Sequence, residues 1–135
     1  MTKRINLGGD TMLPEKFYDV LNYDGAVSMT SWSDDIVHVT CTWNSYIQVK
    51  EDNILLIPSV GMKATEEDLD RNSQIILTIG THEIQGLRGF PGTAYRVHGH
   101  GEFLDEGDYF EETKEKYSFI TRVLVVKVDS VDQIL

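Results

Sequence analysis

A single cysteine, Cys41, and only three prolines stand in 135 residues. One thiol cannot close an internal disulfide, so no covalent staple holds the fold, and the pattern fits a reducing compartment. Cys41 lies inside a strand-like run and is expected to be buried as a small hydrophobe. Positive charge is scarce too. Against 22 Asp and Glu there are 12 Lys and Arg, for a net charge of −10. A partner held by phosphate neutralisation needs a basic face, which argues against nucleic acid and anionic membrane surfaces. No run approaches the roughly 18 apolar residues of a membrane span. The two charges near the N-terminus lack the apolar stretch of a signal peptide behind them. The expected setting is cytoplasmic. Motif signatures are also missing: the sequence has no CxxC, HExxH, GxSxG or GxxxxGK[ST], which removes the best signals for zinc, hydrolase and P-loop chemistry.

What is present is enough apolar side chain for a core: 41% hydrophobic and 10% aromatic residues, in a length that suits one domain. Residues 1–11, with Gly8-Gly9-Asp10, read as a flexible leader, and 12–135 as the domain. Pro14 suits the first turn of a helix over 14–22, ended by Asp24-Gly25. Strands are expected over 26–32 and 36–43, with Ser33-Asp34-Asp35 turning between them. Asn44-Ser45 breaks the second strand, and 46–49 continues it. The run 54–57 is continuously apolar, as in a strand buried on both faces. Thr65-Glu66-Glu67-Asp68 reads as a capped helix start. Strands over 74–79, 93–104 and 122–128, a helix over 109–119 and one helical turn over 130–135 complete the pattern. Six or seven short strands with peripheral helices indicate an antiparallel β-barrel.

Four segments carry chemistry. His98 and His100 face the same way on a strand and with Glu102 could ligate a metal, but a solvated polar face is the plainer account. Thr42-Trp43-Asn44-Ser45-Tyr46 places hydroxyls, an amide and two aromatics at a strand break. That mix suits a planar, hydrogen-bonding ring with a polar tail, or else a β-bulge with core aromatics. Val60-Gly61-Met62-Lys63-Ala64-Thr65 combines a close-approach glycine, the free N–H groups of a coming helix and the Lys63 charge, as a phosphate site would. It could equally be a plain helix cap. Arg88-Gly89-Phe90-Pro91-Gly92-Thr93 is a long irregular loop that could bring backbone amides to a ligand or simply connect two strands.

Taken together, the last three of these segments resemble the FMN-binding split-barrel family related to pyridoxamine 5'-phosphate oxidase, and especially its small members from sulfate-reducing bacteria. The likeness runs through Met12-Leu13-Pro14 and Phe17, the whole of Thr42 to Tyr46, Gly61-Met62 with Thr65-Glu66, Pro91-Gly92-Thr93 and the terminal Leu135. It departs where Ala64 stands in place of a lysine, with Lys63 one position earlier, and where the glycine loop is one residue longer through Phe90. The resemblance implies an antiparallel split β-barrel with short peripheral helices and FMN bound noncovalently at a homodimer interface. It places Thr42, Trp43, Asn44 and Ser45 on the flavin and its tail, with Tyr46 beside the ring. Pro58, Ser59, Val60, Gly61 and Met62 would line the isoalloxazine edge, and Lys63, Ala64 and Thr65 the phosphate. Gly92, Thr93, Asp24 and Leu135 would approach the ring, Leu135 from the partner subunit. The implied role is electron transfer, with a redox protein as partner, or flavin-dependent reduction of a small acceptor. Flavin storage or sensing without turnover, an oxidase resembling pyridoxamine-phosphate oxidase, and a deazaflavin in place of FMN stay open. No catalytic residue and no metal is assigned.

Overall fold

The computed structural model of the protein describes residues 2–7 and 13–135. Among the described residues, alternating or continuously apolar runs form eight strands: β1 (Lys3–Asn6), β2 (Ala26–Ser33), β3 (Ile36–Trp43), β4 (Gln48–Lys50), β5 (Ile54–Ser59), β6 (Gln74–Thr81), β7 (Thr93–Leu104) and β8 (Arg122–Gln133). They form one antiparallel sheet in the order β3-β2-β6-β7-β8-β5-β4, with β1 also paired to β8. Three short helices, α1 (Glu15–Val20), α2 (Lys63–Arg71) and α3 (Asp108–Lys116), lie on its periphery.

Inward positions at period two fill the interior: Val27 and Met29 of β2, Ile75, Leu77 and Ile79 of β6, Tyr95 and Val97 of β7. α1 closes one end through Phe17 and Val20, with the Phe17 ring edge-on to Tyr95 at 5.6 Å. β5 is buried on both faces, as its continuous apolar run predicts. Leu55 and Ile57 enter the main core, while Leu56 packs with Phe110, Ile120, Val123 and Val125 beneath α3. β3 and β4 end the strand path and do not pair with one another, so the curved sheet stays open between them. The fold is a split barrel. Its split lies between the β3 edge and the segment that leads from β5 into α2.

Several expectations change. Residues 3–6 of the expected leader form β1, paired in register from Lys3↔Gln133 to Asn6↔Ser130. Gly8-Gly9-Asp10 and Met12 lie outside the described residues. Residues 130–135 form no helical turn, because β8 continues to Gln133 with both edges occupied, by β1 and by β7. Thr65 is not a cap. α2 begins two residues earlier, with Met62 at its N-cap and no side-chain hydrogen bond there, which puts Thr65 inside the first turn and buried. Cys41 is exposed rather than buried: β3 is an edge strand, and nothing among the described residues covers its outer face. Among the described residues no helix is long and apolar enough to cross a membrane.

Candidate functional site

The split is built from a tight hairpin and a helix start. Asp34 and Asp35 both adopt positive φ, 49° and 67°, giving the two-residue turn whose twist matches the flanking strands. That turn sets the register Ser31↔His38, Met29↔Thr40 and Val27↔Thr42, which points His38, Thr40 and Thr42 inward and Val37, Val39, Cys41 and Trp43 outward. Opposite them, Gly61 takes a φ of +69° that swings the chain from β5 into α2, a conformation that favours glycine. Between these walls opens a cleft of about 350 Å³ lined by residues 37–40 and 61–65.

Of the residues expected to hold a phosphate, Gly61, Met62, Lys63, Ala64 and Thr65 all line this cleft. The α2 start has no side-chain cap, so its first-turn N–H groups remain available to a ligand at the positive end of the helix dipole. Lys63 is exposed and makes no ion pair among the described residues. Thr65 is buried. Such a donor set suits a phosphate-bearing ligand.

At the far end of β3 the expected residues divide. Trp43 is 51% exposed, Ser45 is exposed, and Tyr46 stacks obliquely on Tyr117 at 5.0 Å with Phe119 at 6.2 Å. Asn44 and Thr42 are buried instead. The Asn44 amide donates to Tyr23 O and Gly80 O, both at 3.0 Å, while its backbone N–H donates to Gly25 O at 2.9 Å. It thus braces the strand break against the end of α1 and the end of β6. Its Oδ1 is a buried acceptor with no partner among the described residues. Pro58 and Ser59 lie within β5, paired to Val123 and Arg122, and stand behind the cleft rather than in it. Val60 is 55% exposed beside Gly61.

Asp24 lines a separate hollow with Gly25, Gly80, Thr81 and His82. A Cβ on Gly92 would come within 3.1 Å of His82, so Gly92 belongs to this corner. The chain end sits on its own barrel: Thr93 Oγ1 donates to Leu135 O at 3.0 Å and Gln133 Nε2 donates to the same oxygen at 3.2 Å. Gly86 fits against it so closely that a Cβ would lie 2.7 Å from the Leu135 carbonyl carbon. The side chain of Leu135 is 42% exposed. His98 and His100 turn to different carboxylates, Asp132 and Asp129, each at 3.1 Å.

His38 and Thr40 line the cleft and were missed from sequence. The Asp-Asp turn could have signalled their inward register. Tyr117 and Phe119 were missed for lack of any local signal, since α3 and β8 bring them to Tyr46.

The family model for pyridoxamine 5'-phosphate oxidase matches residues 13–135. The chain belongs to that family. The FMN-binding protein of Nitratidesulfovibrio vulgaris (strain DSM 19637 / Miyazaki F) is 33% identical over 124 residues, covering 92% of this chain and all of the relative. Among solved structures, HupZ of Group A Streptococcus superposes with a TM-score of 0.75 at 15% identity, covering 91% of this chain and 94% of that one. An FMN-binding protein from Syntrophomonas wolfei subsp. wolfei gives 0.70 at 16% identity, covering 90% and 85%. At those identities the two structures speak for the split-barrel fold of this family member. The relative from N. vulgaris speaks for the family.

Proposed function

We propose that this family member binds FMN noncovalently in the split of its barrel, at the interface of a homodimer, and acts in electron transfer or in the reduction of a small acceptor. One observation carries the reading: an uncapped α2 start with Lys63 opens on the same cleft as the β3 edge, which ends in the exposed Trp43. A phosphate and a planar ring need those two environments side by side. The 33% identity to an FMN-binding protein over 92% of the chain supports it.

The proposed dimer rests on β3. Val37, Val39 and Trp43 are 62%, 65% and 51% exposed, and Cys41 is exposed in the same outward row. An edge strand with an apolar outer face is a liability unless a partner covers it. A second copy would do so while closing the open side of the cleft. Bound FMN supplies the redox chemistry; the chain's residues hold the phosphate, orient the ring and limit water at it. A cytoplasmic setting suits the unpaired thiol.

Purified protein should carry a yellow chromophore at about one FMN per chain, identified by its absorbance spectrum and, after extraction, by mass, which also separates FMN from a deazaflavin. Colourless protein that takes up no added FMN would overturn the reading. Steady-state oxidation of NAD(P)H or of a reduced redox protein separates a carrier or reductase from a storage protein.

A further inference from the structure

Next to Lys63, the cleft carries a histidine whose orientation is set by a buried acid. Asp68 of α2 is 2% exposed. It accepts hydrogen bonds from Ser31 Oγ at 2.8 Å, Ser33 Oγ at 2.9 Å and His38 Nδ1 at 2.8 Å. Burial pushes the Asp68 carboxyl up, but the bonds from His38, Ser31 and Ser33 outweigh it and hold the group below its ordinary value. An ionised carboxylate only accepts, so Nδ1 of His38 must carry the hydrogen. The other ring nitrogen, Nε2, has no hydrogen-bond partner among the described residues, and the ring lines the cleft with Thr40, Lys63 and Thr65. Neutral His38 presents a lone pair there, which repels a phosphate oxygen. Protonated His38 presents an N–H, which binds it.

We propose that His38 is a phosphate-binding residue of the flavin site, aimed by Asp68, and that it takes up a proton from solvent at Nε2 when FMN binds. The inference rests on the FMN reading above. A protonated ring bridges two anions, donating from Nδ1 to the Asp68 carboxylate at 2.8 Å and from Nε2 to a phosphate in the cleft. Among the described residues Asp68 of α2 is the only ion-pair partner of His38, and Lys63 of α2 lines the same cleft. From β2 the hydroxyls of Ser31 and Ser33 meet Asp68. Arg71 and Asp34 pair with each other at 2.7 Å.

The test compares FMN with riboflavin, which lacks the phosphate, by fluorescence titration between about pH 7 and about pH 9, where a phosphate monoester stays largely dianionic. Calorimetry in two buffers of different ionisation enthalpy counts the protons taken up. Wild-type protein should lose its preference for FMN several-fold across that range and take up protons with FMN but not with riboflavin. His38→Gln should abolish the proton uptake and the pH dependence, weakening FMN about tenfold, the scale of one charge-assisted hydrogen bond, with riboflavin unmoved. Asp68→Asn should move the pH profile to lower pH, an effect that loss of packing alone would not produce. Should either variant fail to fold, the wild-type proton count still decides. FMN bound more tightly than riboflavin, with no proton uptake and a flat preference, overturns this inference and leaves the FMN reading standing. No flavin bound at all overturns that reading, and this one with it.

Discussion

The Arg4 guanidinium donates to both carboxylate oxygens of Asp132, from Nε at 2.6 Å and from Nη2 at 3.0 Å, and so ties β1 to β8 across nearly the whole chain. Asp132 is 1% exposed although it lies on the outer face of the sheet, because Arg4, Arg96 and His98 close over it. The Arg4 bonds, aided by His98 and opposed by burial, hold its carboxyl far below the ordinary range.

Arg4→Ala should therefore lower the midpoint of urea unfolding at pH 7, and only in part, because Arg96 and His98 still partly satisfy the buried acid. A depressed folded-state pKa contributes stability that is full above the unfolded value, about 3.9, and is lost as pH falls through the folded value. The gap between wild type and variant should accordingly be constant at neutral pH and shrink below about pH 4. A gap that persists into acid would mean that Arg4 acts by packing rather than by charge.

Tyr18 donates to Asp52 Oδ1 at 2.5 Å, joining α1 to the turn between β4 and β5. Burial first, then the bond and the charge of Asp52, push the phenol up to about 12. In a spectrophotometric titration Tyr18 should ionise near pH 12, and Tyr18→Phe should remove that contribution. The bond's contribution is full below the free phenol value of about 10 and is lost as pH rises through the folded value. Near neutrality the variant should lose about 1 kcal/mol.

Lys63→Ala should weaken FMN but not riboflavin. An exposed lysine places the effect near the lower end for a charged hydrogen bond, about 1.5 kcal/mol. Equal weakening of both ligands in fluorescence titrations would assign Lys63 to the shape of the loop.

Val39→Asp puts a charge in the middle of the exposed β3 row. Sedimentation should show a monomer where wild type is a dimer, with weakened FMN and little change in the thermal transition, since the side chain is 65% exposed in the isolated barrel. Cys41 provides a second readout: its thiol should react slowly with an aromatic disulfide reagent in the wild-type dimer and fast in the variant.

Removal of Gln133–Leu135 should destabilise the barrel itself. Gln133 is buried and paired to Lys3 on one side and Tyr95 on the other, so the deletion strips the end of a central strand. A thermal transition that stays in place would show that those pairs contribute little.

Local chemistry determined much of this protein. Period-two alternation in 26–33 and 93–104, the continuous run 54–57 and the glycine between β5 and α2 depend on backbone geometry and side-chain size, which neighbours in sequence already express. The segment 60–65 likewise carries its own phosphate-site chemistry. Only the tertiary structure decided which strand would be an edge. Val37, Val39 and Cys41 alternate as a buried strand would, but β3 ends the sheet and nothing among the described residues covers the face they occupy, so they stay exposed. The fate of the chain end was equally invisible, because Val131 and Gln133 are held by strands distant in sequence, β1 and β7. Asn44 has the composition of a ligand contact and the position of a brace, fixed by carbonyls at residues 23 and 80. The pairing of His38 with Asp68 needed β3 and α2 to meet across the split. Hydrogen bonds between distant segments leave no periodic trace, since any residue of the right type would read the same until the fold brings its partner.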